Sequence, residues 1–236
     1  MIIKILNLNI WNYNEWDERK PKIIRSVKEH NPDIITLQEV RDDLKFNKKG
    51  NNQAKQLNKE LNYPYYVFYP VTDKRKERPA KYRRRCIEGT ALLSKFPILK
   101  VEKKELKKHE EDIYNCGNLY VQIKAKRIID IIVVHFSNKD LQSLLHLIET
   151  LKYIKKKKIK HIIVGDFNIK NSNYLHDLTE DEYKSSMKFK KYSSYPPANY
   201  TLDYIIIPKG FIFKSLRCIG SGLSDHKALV TEIEVR

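Results

Sequence analysis

Near its end the chain reads Ser224-Asp225-His226, and well upstream an apolar run, Ile162-Ile163-Val164, closes in Gly165-Asp166-Phe167-Asn168. Acids beside polar partners at two strand ends are what metal-assisted phosphodiester hydrolysis requires. One group must activate water, and others must offset charge that develops on the phosphoryl oxygens. More polar residues close other apolar runs. Asn9 follows Ile5-Leu6-Asn7-Leu8, Glu39 follows Ile34-Ile35-Thr36-Leu37-Gln38, His135 follows Val133-Val134, and Asp203 sits inside Thr201-Leu202-Asp203-Tyr204-Ile205. Singly, each reads as a turn residue, a surface acid or half of a local pair. Jointly they describe distant strands delivering polar groups to one rim of a rigid scaffold.

The elements that must do the positioning alternate along the chain. Ile3, Ile5, Leu8 and Ile10 suggest a first strand. Pro21 to His30 carries Ile23, Ile24 and Val27 at helical spacing and stops at Asn31-Pro32. Strands are expected at 34–37, 65–69 (an edge strand before Pro70), 90–93, 119–124, 128–134, 162–164, 202–207 and 229–235. Further helices are expected at 53–61 and 141–154. No repeat of solenoid length and no Gly/Ser/Pro-rich linker interrupts the pattern, so the expectation is one mixed α/β domain over residues 1–236.

Length and composition narrow the classes. A chain of 236 residues can bury a core without staples, and Cys86, Cys116 and Cys218 are scattered without CxxC spacing, which argues against a disulfide framework or zinc knuckle. No apolar stretch reaches the roughly 20 residues of a membrane span, and the first residues lack a leader signature. A soluble monomer, cytoplasmic or nuclear, is expected. The formal charge of +17 invites a polyanion, although Lys-, Ile- and Asn-rich composition also arises from AT-rich coding sequence. Local clusters say more than the total. Lys74-Arg75-Lys76 precede Lys81 to Arg85, where Arg83, Arg84 and Arg85 follow Tyr82; guanidinium forks and an aromatic face there suit a phosphate backbone. Lys155 to Lys158 reads as a helix C-terminus interacting with its dipole.

In order along the chain, Leu8-Asn9-Ile10, Leu37-Gln38-Glu39-Val40, Gly89 to Ser94 before Pro97-Ile98, His135, Gly165-Asp166-Phe167-Asn168, Leu202-Asp203-Tyr204 and Ser224-Asp225-His226 resemble the endonuclease/exonuclease/phosphatase superfamily. The resemblance runs through nearly the whole chain and rests on ordered co-occurrence. It implies a four-layer α/β sandwich of two packed mixed β-sheets flanked by helices, DNase I-like, with the site on one rim. It implies Glu39 as principal metal ligand supported by Asn9, with Asp225 assisting, and Mg²⁺ as the ion, Mn²⁺ able to replace it; a carboxylate at a strand end suits such a hard cation. Asp166 is then the general base, Asn168 a donor to phosphate or nucleophile, and His226 a phosphate contact oriented by Asp203. His135 takes the place of a residue that stabilises or protonates the departing oxygen. Arg83, Arg84 and Arg85 are the expected phosphate-binding loop.

Departures from the pattern bear on substrate. Trp11 stands where abasic-site endonucleases carry an Asp, and the segment Tyr192 to Pro197, with Asn12, Trp16 and Arg19, resembles a less specialised hydrolase branch. Three readings follow: a Mg²⁺-dependent nuclease or related nucleic-acid phosphodiesterase, a hydrolase of anionic lipid head groups or small phosphate esters, and a non-catalytic nucleic-acid-binding module. Loop shape decides among them, above all at 41–54 and 71–88.

Overall fold

The computed structural model describes residues 1–75, 84–110, 112, 114–220 and 222–236. Two six-stranded sheets face each other. The strands are β1 (Ile2–Asn9), β2 (Ile34–Asp43), β3 (Tyr65–Asp73), β4 (Cys86–Ser94), β5 (Ile98–Glu105), β6 (Gly117–Lys124), β7 (Ile128–His135), β8 (Ile162–Asp166), β9 (Tyr183–Ser185), β10 (Asp203–Pro208), β11 (Ile212–Ile219) and β12 (Ala228–Glu234). One sheet has the order β11-β12-β1-β2-β4-β3, the other β5-β6-β7-β8-β10-β9. The helices are α1 (Trp16–His30), α2 (Gln53–Leu61), α3 (Asp140–Lys157), α4 (Ser172–Thr179) and the single turn α5 (Ser186–Phe189).

The layers follow from the period-2 alternation of strand side chains. Ile3 and Ile5 of β1, Leu92 of β4, Ile131 and Val133 of β7, Ile162 and Val164 of β8, and Ile205 and Ile207 of β10 form the core between the sheets. Their neighbours one residue on face the helices. Leu6, Leu8, Ile35 and Leu37 pack with Ile23, Val27, Ala54 and Leu57 of α1 and α2. On the other side Ile132, Val134, Ile163 and Ile206 pack with Leu147 and Ile154 of α3 and Leu175 of α4. This is the four-layer sandwich that the resemblance implies.

The alternation also makes the site. Continued toward one end, the inner row of β1 becomes Asn7 and Asn9, that of β7 His135, that of β8 Asp166, that of β10 Asp203, and that of β4 Thr90 and Glu88. Each of these five inner rows changes from apolar to polar at the same end, where the register sets Asp166 beside both His135 and Asp203. Strand β2 needs an irregularity to join them. Leu37 faces the helices, so Glu39 in a regular strand would do the same. A bulge between Leu37 and Val40, with Glu39 at φ +53°, returns Val40 to the helix side and directs the Glu39 carboxylate to Asn9 on the inner face. Glu39 is therefore a mid-strand residue, since β2 runs on to Asp43.

Helix α1 begins five residues before the expected Pro21, with Trp16 buried and Asp17 and Glu18 in its first turn; Pro21 sits inside it. The α2 bounds agree with expectation, and α3 ends at Lys157 in three lysines, with Lys158 as a left-handed cap. No disulfide joins the three cysteines. No helix among the described residues is long and apolar enough to cross a membrane.

Candidate active site

A cleft of about 430 Å³ opens at the polar end, lined by Glu39, Glu88, His135, Asp166, Asn168, Asp225 and His226 among others. Asp166 is buried at its centre. Asn9 Nδ2 donates to Asp166 Oδ2 at 3.0 Å, and the Asn168 N–H donates to Oδ1 at 2.9 Å. That second bond closes a tight turn, which places Asn168 in the left-handed region at φ +53°. One Asn168 side-chain N–H donates to the Phe136 carbonyl at 3.0 Å. An amide carries two such donors, so the other remains for a bound group.

Two imidazoles flank Asp166, the Nε2 atoms of His135 and His226 each lying 3.8 Å from Oδ2. His226 Nδ1 bonds Asp203 Oδ2 at 2.8 Å, which turns Nε2 toward Asp166. Asp203 is itself fixed: Asn7 Nδ2 donates to Oδ1 at 3.4 Å, and its backbone N–H donates to Ser194 Oγ at 3.0 Å. Burial of the His226 ring opposes its charge. Asp203, and beyond it Asp166 and Asp225, outweigh that and push its pKa up to about 10. Burial moves the Asp166 carboxyl in the proton-retaining direction, above the ordinary aspartate value, with His226 opposing. A raised carboxyl pKa suits a group that must take a proton.

Glu39 lies across from this pair. Asn9 Nδ2 donates to Oε1 at 3.2 Å and Asn12 Nδ2 to Oε2 at 3.1 Å. Burial, and then the nearby Glu88 charge, raise its pKa. Amides meet this carboxylate, and no Lys or Arg among the described residues pairs with it. Such an acid at a cleft floor, with a second carboxylate, Asp225, on the same lining, fits a hard divalent cation. Asp166, Asp203 and His226 also lie close enough to share an ion, their ligand atoms falling within 4.8 Å of one another. The oxygens of Asp203 are occupied by His226 and Asn7, however, so this trio reads better as an oriented His–Asp pair beside a base.

Sequence reasoning gave no role in the site to several supporting groups. Asn7 is tied to Thr36 and Gln38 and links β1 and β2 to Asp203. Its signal was the inner-row alternation of β1. Glu88 sits buried between Arg41 at 2.5 Å and Lys74 at 3.3 Å; burial disfavours its charge, yet the two cations hold it below the ordinary carboxylate range. Arg19 is buried and donates to the carbonyls of Ile10, Trp11, Asn12, Asn14 and Leu223, joining the loop that carries Asn12 to the segment that leads to Asp225 and His226. Tyr195 lines the cleft with its ring 4.9 Å from that of His226.

The structure brings Asn9, Glu39, His135, Asp166, Asn168, Asp203 and His226 into one network, with Asp225 on the same cleft. Of the expected phosphate-binding arginines, Arg83 lies outside the described residues; Arg84 and Arg85 immediately precede β4, and Arg85 pairs with Asp42 at 3.7 Å. Outside the cleft, two buried histidines are held by backbone groups: His146 accepts the Ser137 N–H and bonds the Lys107 carbonyl, and His161 bonds the Ile159 carbonyl.

The sequence model of the Endonuclease/Exonuclease/phosphatase family matches residues 6–226. No curated protein sequence matches the chain. Among solved structures, an endonuclease/exonuclease/phosphatase from Beutenbergia cavernae superposes with TM-score 0.80 at 16% identity, over 99% of this chain and 72% of its own. The human Nocturnin catalytic domain with bound sulfate gives 0.74 at 22%, covering 99% and 94%. A Bacteroides thetaiotaomicron mannosyl-6-phosphatase gives 0.70 at 16%, covering 99% and 100%.

Proposed function

Because the chain belongs to the Endonuclease/Exonuclease/phosphatase family, a family of phosphoesterases, we propose that it is a Mg²⁺-dependent phosphodiesterase acting on nucleic acid. The observation that carries this reading is the environment of Asp166. It is a buried carboxylate held by Asn9 and by the Asn168 N–H, with one imidazole on each side. That arrangement suits in-line attack by water on phosphorus. Asp166 takes the proton of the attacking water as the new P–O bond forms. His226, kept cationic by Asp203, faces the charge growing on the non-bridging oxygens, and His135 on the other side gives a proton to the oxygen that leaves. Glu39 and Asp225 would hold the cation, with Asn9 and Asn12 fixing Glu39. When bound it adds positive charge beside the phosphoryl oxygens.

Nucleic acid is favoured over a neutral ester by the chain's charge of +17 and by the Arg41–Lys74 pair on the cleft wall. Small phosphate esters remain the second reading, because a mannosyl-6-phosphatase has the same fold. A substrate panel separates the two: duplex DNA, single-stranded DNA, RNA, phosphatidylcholine and phosphoinositide vesicles, and sugar phosphates, each with Mg²⁺. Cleavage of polynucleotides is expected. Release of phosphate or phosphocholine with polynucleotides intact would select the second reading.

A further inference from the structure

The loop between β2 and α2 is knotted from beneath. Asn47 accepts the Asp43 N–H and the Tyr13 hydroxyl, both at 2.8 Å, and donates to Asp42 Oδ1 at 2.7 Å. Asp42 also accepts the Gly50 N–H, Asp43 accepts the Lys45 N–H, and Gln56 Nε2 donates to the Tyr13 hydroxyl at 2.8 Å. Both acids at the end of β2 are thereby turned inward and buried. The solvent side is the reverse in character. Lys45, Lys48 and Lys49 are exposed there, with Phe46 50% exposed and Leu44 37% exposed. The Phe46 ring lies nearly parallel on Tyr13, centroids 4.6 Å apart, and the Lys45 ammonium stands 4.9 Å from its centroid.

This loop adjoins the cleft. Tyr13 follows Asn12, whose amide holds Glu39, and Leu44 comes three residues after Arg41 of the cleft wall, on the order of 10 Å along a strand. We propose that Phe46 with Lys45, Lys48 and Lys49 forms a docking surface for single-stranded nucleic acid beside the cleft. A base stacks on the part of Phe46 that Tyr13 leaves open, moving the Lys45 ammonium off the ring to a phosphate, and the neighbouring phosphates meet the other lysines. Ring and cation in succession match the base and phosphate of a nucleotide repeat. A membrane would want a protruding apolar wedge, whereas this ring lies flat and is pinned. The proposal rests on the nuclease reading of the cleft for its biological sense, but its test reads binding alone.

The test is fluorescence anisotropy of labelled oligothymidylate with the full chain and Mg²⁺ over a salt series. Phe46→Ala, Phe46→Trp and a Lys45/Lys48/Lys49→Ala triple variant are compared with wild type. Turnover of bis-p-nitrophenyl phosphate and sedimentation with phosphatidylserine vesicles run beside it. Phe46→Ala should weaken oligonucleotide binding roughly tenfold and Phe46→Trp should restore it. The triple variant should flatten the slope of log affinity against log salt by about 2. Turnover of the small diester should not change. Affinity and slope unchanged in the variants would overturn the proposal. So would loss of vesicle binding with oligonucleotide binding retained, or a wild type that binds no oligonucleotide. If wild type binds oligonucleotide through Phe46 yet cuts none, the docking surface stands and the nuclease reading fails. If wild type cuts oligonucleotide and Phe46→Ala binds it as tightly, the nuclease reading stands and the docking surface fails.

Discussion

The His226–Asp203 pair, 2.8 Å apart and buried, sets the protonation of the cleft. A ring whose folded pKa of about 10 lies above the ordinary imidazole value favours the folded state below about pH 6.5, and that contribution is lost as pH rises through about 10. In metal-free protein, Asp203→Asn should lower the His226 titration by more than about one unit, read from its ring protons by NMR; an unchanged midpoint would remove Asp203 as the cause. Glu39→Gln should weaken Mg²⁺ binding by more than about 100-fold in calorimetric titration, beyond what loss of an outer partner costs. Undiminished affinity would move the ion elsewhere. Asp166, Asp203 and His226 were legible because each continues or adjoins an apolar strand run. Asn7 and Asn12 were not, since their value lies in what they touch across the sheets. The orientation of Glu39 was hidden too: strict alternation assigns it to the helix side, and only the bulge at positive φ turns it to the cleft.

At the scale of elements, the rim depends on close backbone approaches. A Cβ on Gly165 would stand 2.0 Å from the Val134 carbonyl oxygen, at a φ of +150°. Gly165→Ala should therefore separate β8 from β7 just where Asp166 is delivered, destabilising the fold by about 3 kcal/mol or more in denaturant unfolding. A wild-type midpoint would contradict the packing. Arg19→Lys replaces a fork that spans five carbonyls with a single ammonium. It should lower stability by roughly 2 kcal/mol and weaken Mg²⁺ binding as well, because Asn12 is no longer held over Glu39; a stability loss with metal affinity intact would confine Arg19 to the fold. The central strands and three main helices could be read from periodicity. The strands that escaped, β5, β9 and β11, all lie on sheet edges. An edge strand is half-buried at best and is often charged against aggregation, so Leu99-Lys100-Val101-Glu102-Lys103-Lys104 reads like loop. The early start of α1 was masked by Pro21, which signals a first turn but here lies within the helix.

For the whole molecule, two sheets open at one end into a cleft with buried acids at its floor and cations on its wall and approaches. Charge of this kind raises local polyanion concentration and makes binding fall with salt. The sequence marks the basic run 81–85 because its arginines are consecutive. The character of the 44–49 loop shows only in the fold, where Asp42 and Asp43 just before it are internal and its lysines external, a distinction that sequence order cannot display. Metal-dependent phosphodiester cleavage with Asp166 as base is tested by the cleavage rate of an end-labelled oligonucleotide by wild type and Asp166→Asn, each with Mg²⁺ and with chelator. Wild type should cleave with Mg²⁺ and not with chelator, and the variant should lose about 10³-fold or more with oligonucleotide binding intact. Equal cleavage by the variant, or cleavage that persists in chelator, would contradict it.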